Sequence, residues 1–88
     1  MSIQESAIQC ACLCCGYLTY SEPPNGNWDI CPVCFWEDDP VQAGNENYSG
    51  GANRVSLRQA RKNFGLFGAC TRDAIGSVRK PYEFEISK

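Results

Sequence analysis

The chain has 88 residues, 43% of them apolar, a net charge of −2, seven cysteines and no histidine. A chain of this length buries only roughly 60 to 65% of its unfolded surface, so a metal or disulfides are expected to staple its small core. The totals exclude several classes: no apolar run approaches the roughly 18 residues of a membrane span, MSIQESAIQ lacks the basic start and apolar run of an export signal, and the usual general base of enzymes is missing.

In chain order, Ser2 to Gln9 reads as a loosely held terminus or short edge strand. Residues 10–20, CACLCCGYLTY, turn at Gly16 and leave through Tyr17, Leu18, Thr19 and Tyr20, residue types that favour a strand. SEPPNGN follows, and its Pro23, Pro24 and Asn25-Gly26 mark a hairpin loop. Trp28, Asp29 and Ile30 then form a short returning strand. EDDPVQAGNENYSGGAN, residues 37–53, is polar and aperiodic, a long loop with one helical turn at its start.

At Ser56, SLRQ offers a capping box: the Ser56 hydroxyl accepts from the Gln59 amide while the Gln59 side chain reaches back. Leu57, Ala60 and Phe64 recur at helical spacing, Arg58, Arg61 and Lys62 fall mainly on the other side, and Gly65 or Gly68 ends the helix. TRDAIGSVRKPYEFEISK adds a short helical turn and an extended tail, with Pro81 opposing further helix.

Charge is distributed unevenly. Residues 1–53 carry seven carboxylates and no lysine or arginine, whereas residues 54–88 carry all eight basic residues against Asp73, Glu83 and Glu85, giving −7 and +5. The simplest reading is that the two parts fold against one another. The alternative is a basic C-terminal face that meets an acidic partner.

Cysteine spacing holds the most chemical information. Without export the compartment is the cytoplasm, where clustered cysteines read as metal ligands, and seven cannot all pair in disulfides. Cys12 and Cys15 form one CxxC, Cys31 and Cys34 another, and fifteen residues separate them. This is the four-thiolate zinc pattern, because two residues between ligands let the chain aim both sulfurs at one ion about 2.3 Å away. Gly16 supplies the positive φ that such a turn needs. Four protein ligands leave no open position, so the expected zinc, one ion per chain, is structural. Using Cys14 in place of Cys15 leaves only one residue between ligands and fits worse. Cys10, Cys14 and Cys70 read as small buried apolar residues, with a Cys14–Cys70 contact or a redox role as the alternative.

The expected architecture is one small α+β domain over 1–88. It consists of a zinc-knuckle β-hairpin at 10–36, a polar loop at 37–53, and a basic segment at 54–88 carrying one main amphipathic helix and a tail.

CLCCGYLTY, ICPVCFWEDDPVQ, GGANRVSLRQARKNFG and FGAC resemble the bacterial cysteine-rich CPCC family, over about Cys12 to Pro81. The name-giving tetrad falls on Cys12 to Cys15, with Leu13 in the place of the family's proline. The resemblance implies a small bacterial zinc protein, and such small families often look like partners of toxins or other interaction modules. Locally, CxxCGY followed by WxxCPxC is similar to the paired knuckles of rubredoxins and zinc ribbons, which implies iron as the alternative metal. The span between the pairs is shorter than rubredoxins use, and Phe35 replaces the glycine of the second knuckle.

For function, a closed site and the lack of histidine argue against an enzyme. The run Glu37-Asp38-Asp39 reads as a solvated face, with cation binding as the alternative. Protein binding fits best, through Tyr17, Tyr20, Trp28, Phe35 and Trp36, and an immunity-type inhibitor of a basic toxin facing Glu37, Asp38 and Asp39 is its sharpest form. Nucleic-acid binding through Arg54, Arg58, Arg61 and Lys62 is the rival, and a sequence pI near 4.9 counts against it. A rubredoxin-like electron carrier is the third reading.

Overall fold

The computed structural model describes residues 9–86, so the reading of residues 2–8 as terminus or edge strand lies outside the described residues, as does that of the last two tail positions. Regular structure is sparse. Helix α1 spans Pro40–Gly44 and helix α2 spans Leu57–Phe67, followed by 3₁₀ turns at Arg72–Ser77 and Glu83–Glu85. No helix among the described residues is long and apolar enough to cross a membrane.

The expected β-hairpin is not formed: pairing among the described residues is limited to two isolated antiparallel bridges, Cys10 with Tyr20 and Ile30 with Glu37. Each bridge closes across one knuckle instead of joining the two knuckles. The reason lies in the loop between them. Pro23 and Pro24 have no amide hydrogen to give a ladder, and the amides of Gly26 and Asn27 donate to Asp38 Oδ2 at 2.9 Å each. Gly26 also lies where a Cβ would come within 2.6 Å of the Pro40 side chain. The loop therefore folds down onto α1, and Tyr17–Tyr20 is left without the returning strand.

The helical expectations fare better. Ser56 caps α2, its hydroxyl accepting from Gln59 N–H at 3.1 Å, but the Gln59 side chain turns forward to Asn63 Oδ1 at 2.9 Å, so only half of the capping box forms. Leu57 and Ala60 are buried and Phe64 packs against the core, and α2 ends at Gly68 in the left-handed conformation. The helical turn expected early in the polar loop is α1, capped by Asp39 with Pro40 at its first turn.

Of the twelve buried apolar side chains among the described residues, Cys12, Cys14, Cys31, Cys34 and Cys70 are five, so the core is assembled around sulfur, with Trp36, Leu57, Val33 and Tyr20 filling the space beside it. Glu46, from the acidic part of the chain, pairs with Arg58 at 3.1 Å and Arg61 at 2.9 Å, which brings the two oppositely charged parts together. The C-terminal segment returns over both knuckles: Arg79 N–H donates to Pro32 C=O at 3.1 Å, and Leu18 N–H donates to Glu85 C=O at 2.7 Å. Glu85 is buried, gripped by both guanidinium nitrogens of Arg79 at 2.9 Å, and that guanidinium stacks 3.7 Å above the Tyr82 ring.

Candidate metal centre

The two CxxC segments fold alike. In the first, Cys12 N–H donates to Tyr17 C=O and Gly16 N–H to Cys12 C=O, both at 2.9 Å; in the second, Cys31 N–H donates to Trp36 C=O at 2.9 Å and Phe35 N–H to Cys31 C=O at 2.7 Å. The amides of Cys14 and Val33 point at the sulfurs of Cys12 and Cys31, each at 3.4 Å. Both turns need a left-handed residue after the second cysteine. The first uses Gly16 at φ 81°, and the second holds Phe35 there at φ 72°. Placing CLCCG over CPVCF in the sequence reveals that exchange directly.

This pseudo-twofold arrangement brings the sulfurs of Cys12, Cys15, Cys31 and Cys34 within 4.8 Å of one another. Cys12 and Cys34 are 3.6 Å apart and Cys15 and Cys31 3.7 Å. Those separations are far beyond a disulfide bond of about 2.05 Å. They match the edge of roughly 3.8 Å in a tetrahedron with metal–sulfur bonds of about 2.3 Å. Cys12, Cys31 and Cys34 are buried and Cys15 is half-buried. Four cysteines thus form a group that could hold a metal ion, and the chemistry of the donor set suits a thiophilic one such as zinc or iron.

The electrostatics of the group point the same way. Hydrogen bonds from Cys12, then Cys15 and Cys34, hold the Cys31 thiol far below the ordinary range, with the Thr19 hydroxyl adding a donor at 3.1 Å. The same contacts push Cys34 and Cys15 up, Cys12 being the largest cause for each. Thiolates packed this closely repel one another, so a cation at their centre would let all four ionise together.

The remaining cysteines divide as small apolar residues do. Cys14 and Cys70 are in the core and Cys10 packs against it, its backbone paired with Tyr20. Cys70 N–H donates to Cys34 C=O at 2.8 Å, and burial pushes the Cys70 thiol up to about 11.

The acidic run is different from its expected reading as a solvated face. Asp38 is 1% exposed and Asp39 5%, and both accept backbone amides. Asp38 holds Gly26 and Asn27, while Asp39 accepts from Val41 at 2.7 Å, Gln42 at 3.2 Å and Ala52 at 2.8 Å. Those hydrogen bonds, Ala52 foremost, keep the Asp39 carboxyl below the usual carboxylate range. The basic set is also largely engaged: Arg54 pairs with Asp73, Arg58 and Arg61 with Glu46, and Arg61 Nε also donates to Leu13 C=O at 2.9 Å.

Sequence reasoning passed over Gln42 and Asn53. Gln42 is fully buried and its amide nitrogen donates to the carbonyls of Tyr48, Asn53 and Val55 at 3.0–3.1 Å. Its oxygen accepts from Asn53 N–H and Nδ2 at 3.1 and 2.9 Å. Asn53 in turn clamps Glu37, accepting its N–H at 2.9 Å and donating to its C=O at 2.8 Å. No spacing rule marks a buried amide, so nothing in a polar loop distinguishes these two from their exposed neighbours.

No curated protein matches this chain. A family model does, over residues 10–85, a span that holds both knuckles, the polar loop, α2 and the returning tail as far as Glu85. The chain belongs to the cysteine-rich CPCC family.

Proposed function

We propose that the protein is a non-enzymatic cytoplasmic interaction module whose fold is locked by one structural zinc ion on Cys12, Cys15, Cys31 and Cys34. The observation that carries the metal part is the largely buried set of four sulfurs, all within 4.8 Å of one another, with two separations of 3.6 and 3.7 Å close to a tetrahedral edge. Four protein donors fill a zinc coordination sphere, which favours a structural over a catalytic ion. Zinc, when bound, supplies coordinate bonds that cross-link the two knuckles. The chain itself contributes the paired turns, the amides of Cys14 and Val33 and the Thr19 hydroxyl that favour thiolate at the sulfurs, and the tail that covers both turns.

The interaction part is supported by apolar side chains left in solvent, among them Trp28, Phe35, Leu66 and Phe84. Of the three acidic contacts expected for an immunity-type role against a basic partner, only Glu37 is left, since Asp38 and Asp39 are buried; Asp29 is exposed near the same knuckle. Nucleic-acid binding is less well supported, because Arg54, Arg58 and Arg61 already face carboxylates. The rubredoxin-like likeness of the knuckles keeps iron as the competing metal.

Metal analysis and an absorption spectrum of protein purified from its native host decide the matter. A colourless protein with one zinc per chain is the expected result. A red, redox-active protein carrying iron overturns zinc, and a metal-free protein that stays folded overturns the structural role.

A further inference from the structure

The second knuckle carries a surface that folding alone does not explain. Phe35 occupies the left-handed position that the first knuckle gives to Gly16, at φ 72°, yet the residue is 40% exposed. Trp28, in the arm leading into the same knuckle, also has a positive φ, 63°, and is 53% exposed. Bulky residues are strained in that region, and such strain concentrates where a surface has a task. Between them in sequence Ile30 is 48% exposed, and Ile30 and Phe35 line a cleft of about 170 Å³ together with Glu37 and Thr71.

Charge identifies the occupant. Asp29 is exposed and Glu37 half-buried, and neither side chain has a hydrogen-bond or ion-pair partner among the described residues. The cation at the cleft rim, Arg54, is already engaged by Asp73, and residues 1–53 contain no lysine or arginine. Aromatic faces flanked by unpaired carboxylates suit a guanidinium or ammonium, which can stack on a ring and meet a carboxylate at once.

We infer that the Trp28–Ile30–Phe35 face of the second knuckle docks a basic, arginine- or lysine-bearing peptide segment of a protein partner, with Asp29 and Glu37 as its counter-charges. This rests on the interaction-module reading and names its face and its partner's chemistry.

The test is an NMR titration of the full ¹⁵N-labelled chain with hexa-arginine, and with hexa-glutamate as control. The expected result is a saturable movement of the Trp28 indole and Phe35 amide signals with hexa-arginine alone, weakening about tenfold as salt is raised past roughly 0.1 M. Phe35→Gly separates docking from folding. It should keep or raise the thermal midpoint, because glycine suits this backbone, while binding weakens about tenfold; Asp29→Asn combined with Glu37→Gln should weaken it similarly. Shifts confined to other surfaces, equal binding of hexa-glutamate, or Phe35→Gly binding within about twofold of the parent each overturn the inference. A photocrosslinker placed at Leu66 or Tyr82 then tells the two readings apart. If it captures a protein in the native host, this face is wrong and the module reading stands; if crosslinkers at 35, 66 and 82 all capture none, both fall.

Discussion

The knuckle region, residues 10–36, and the polar loop after it, residues 37–53, face the same physical problem and solve it differently. Each is an irregular stretch with few ladder hydrogen bonds and many backbone groups to satisfy. In the first, four sulfurs converge from two turns into a group that could hold a metal ion. In the second, the side chains of Asp39, Gln42 and Asn53 act as surrogate backbone, accepting and donating to at least seven main-chain groups among the described residues. Gly51 shows how tight that cradle is, since a Cβ there would come within 2.6 Å of Asp39 Oδ2. The lesson is that a small chain can order loops either by coordinate bonds or by buried amides, and that the two should fail under different conditions.

The largest effect tests the metal side. Cys31→Ser or Cys34→Ser, or a strong chelator, should remove the ion and unfold residues 10–36, since metal binding in such sites contributes on the order of 10 to 16 kcal/mol. Loss of amide dispersion in the knuckles with loss of bound metal is the readout, and retention of both after Cys34→Ser would break the comparison at its first term.

Next, Gln42→Ala should cost about 3 to 5 kcal/mol by stranding several buried carbonyls and amides. Its midpoint should drop in denaturant titration while one metal ion per chain is still bound. If metal content falls in parallel, the two regions are one cooperative unit rather than two.

A smaller effect comes from Asp39→Asn, which loses a charged acceptor for three amides and should cost about 1 to 3 kcal/mol at neutral pH. The sign with pH follows from the direction of the shift. Because the folded-state pKa of Asp39 is depressed, its contribution is fully present above the unfolded value of about 3.9 and is lost as pH falls through the folded one. The gap in thermal midpoint between parent and variant should therefore close in acid, and a gap that persists at low pH would assign Asp39 a role other than its charge.

Smallest of all, Cys10→Ser should change stability by less than about 1 kcal/mol and leave the metal in place, since Cys10 contributes backbone pairing and a half-buried thiol. Metal loss in Cys10→Ser together with retention in Cys12→Ser would reassign the ligands.

How far each region was legible follows from the same contrast. Two CxxC pairs impose spacing on both sides at once, so the convergence of Cys12, Cys15, Cys31 and Cys34 was readable from the residues alone. Helix α2 was readable because Ser56, Leu57, Ala60, Phe64 and Gly68 each carry a local preference. The hairpin was misread because Asn25-Gly26 between strand-like segments looks like a turn, whereas Asp38, eleven and twelve residues downstream, captures the amides of Asn27 and Gly26. Similarly, the acidic run looked solvent-facing because composition gives no account of where amides will converge.

The returning tail has a kinetic side. Its anchors are main-chain groups of both knuckles, Pro32 through Arg79 and Leu18 through Glu85, so the two turns cannot separate freely while it is seated. An ion held between them would then leave at a rate set partly by residues 47 and 67 positions away in sequence from the groups they hold. Clipping the chain before Arg79 should quicken metal exchange more than it lowers equilibrium occupancy, which makes the far end of this protein the timer of its near one.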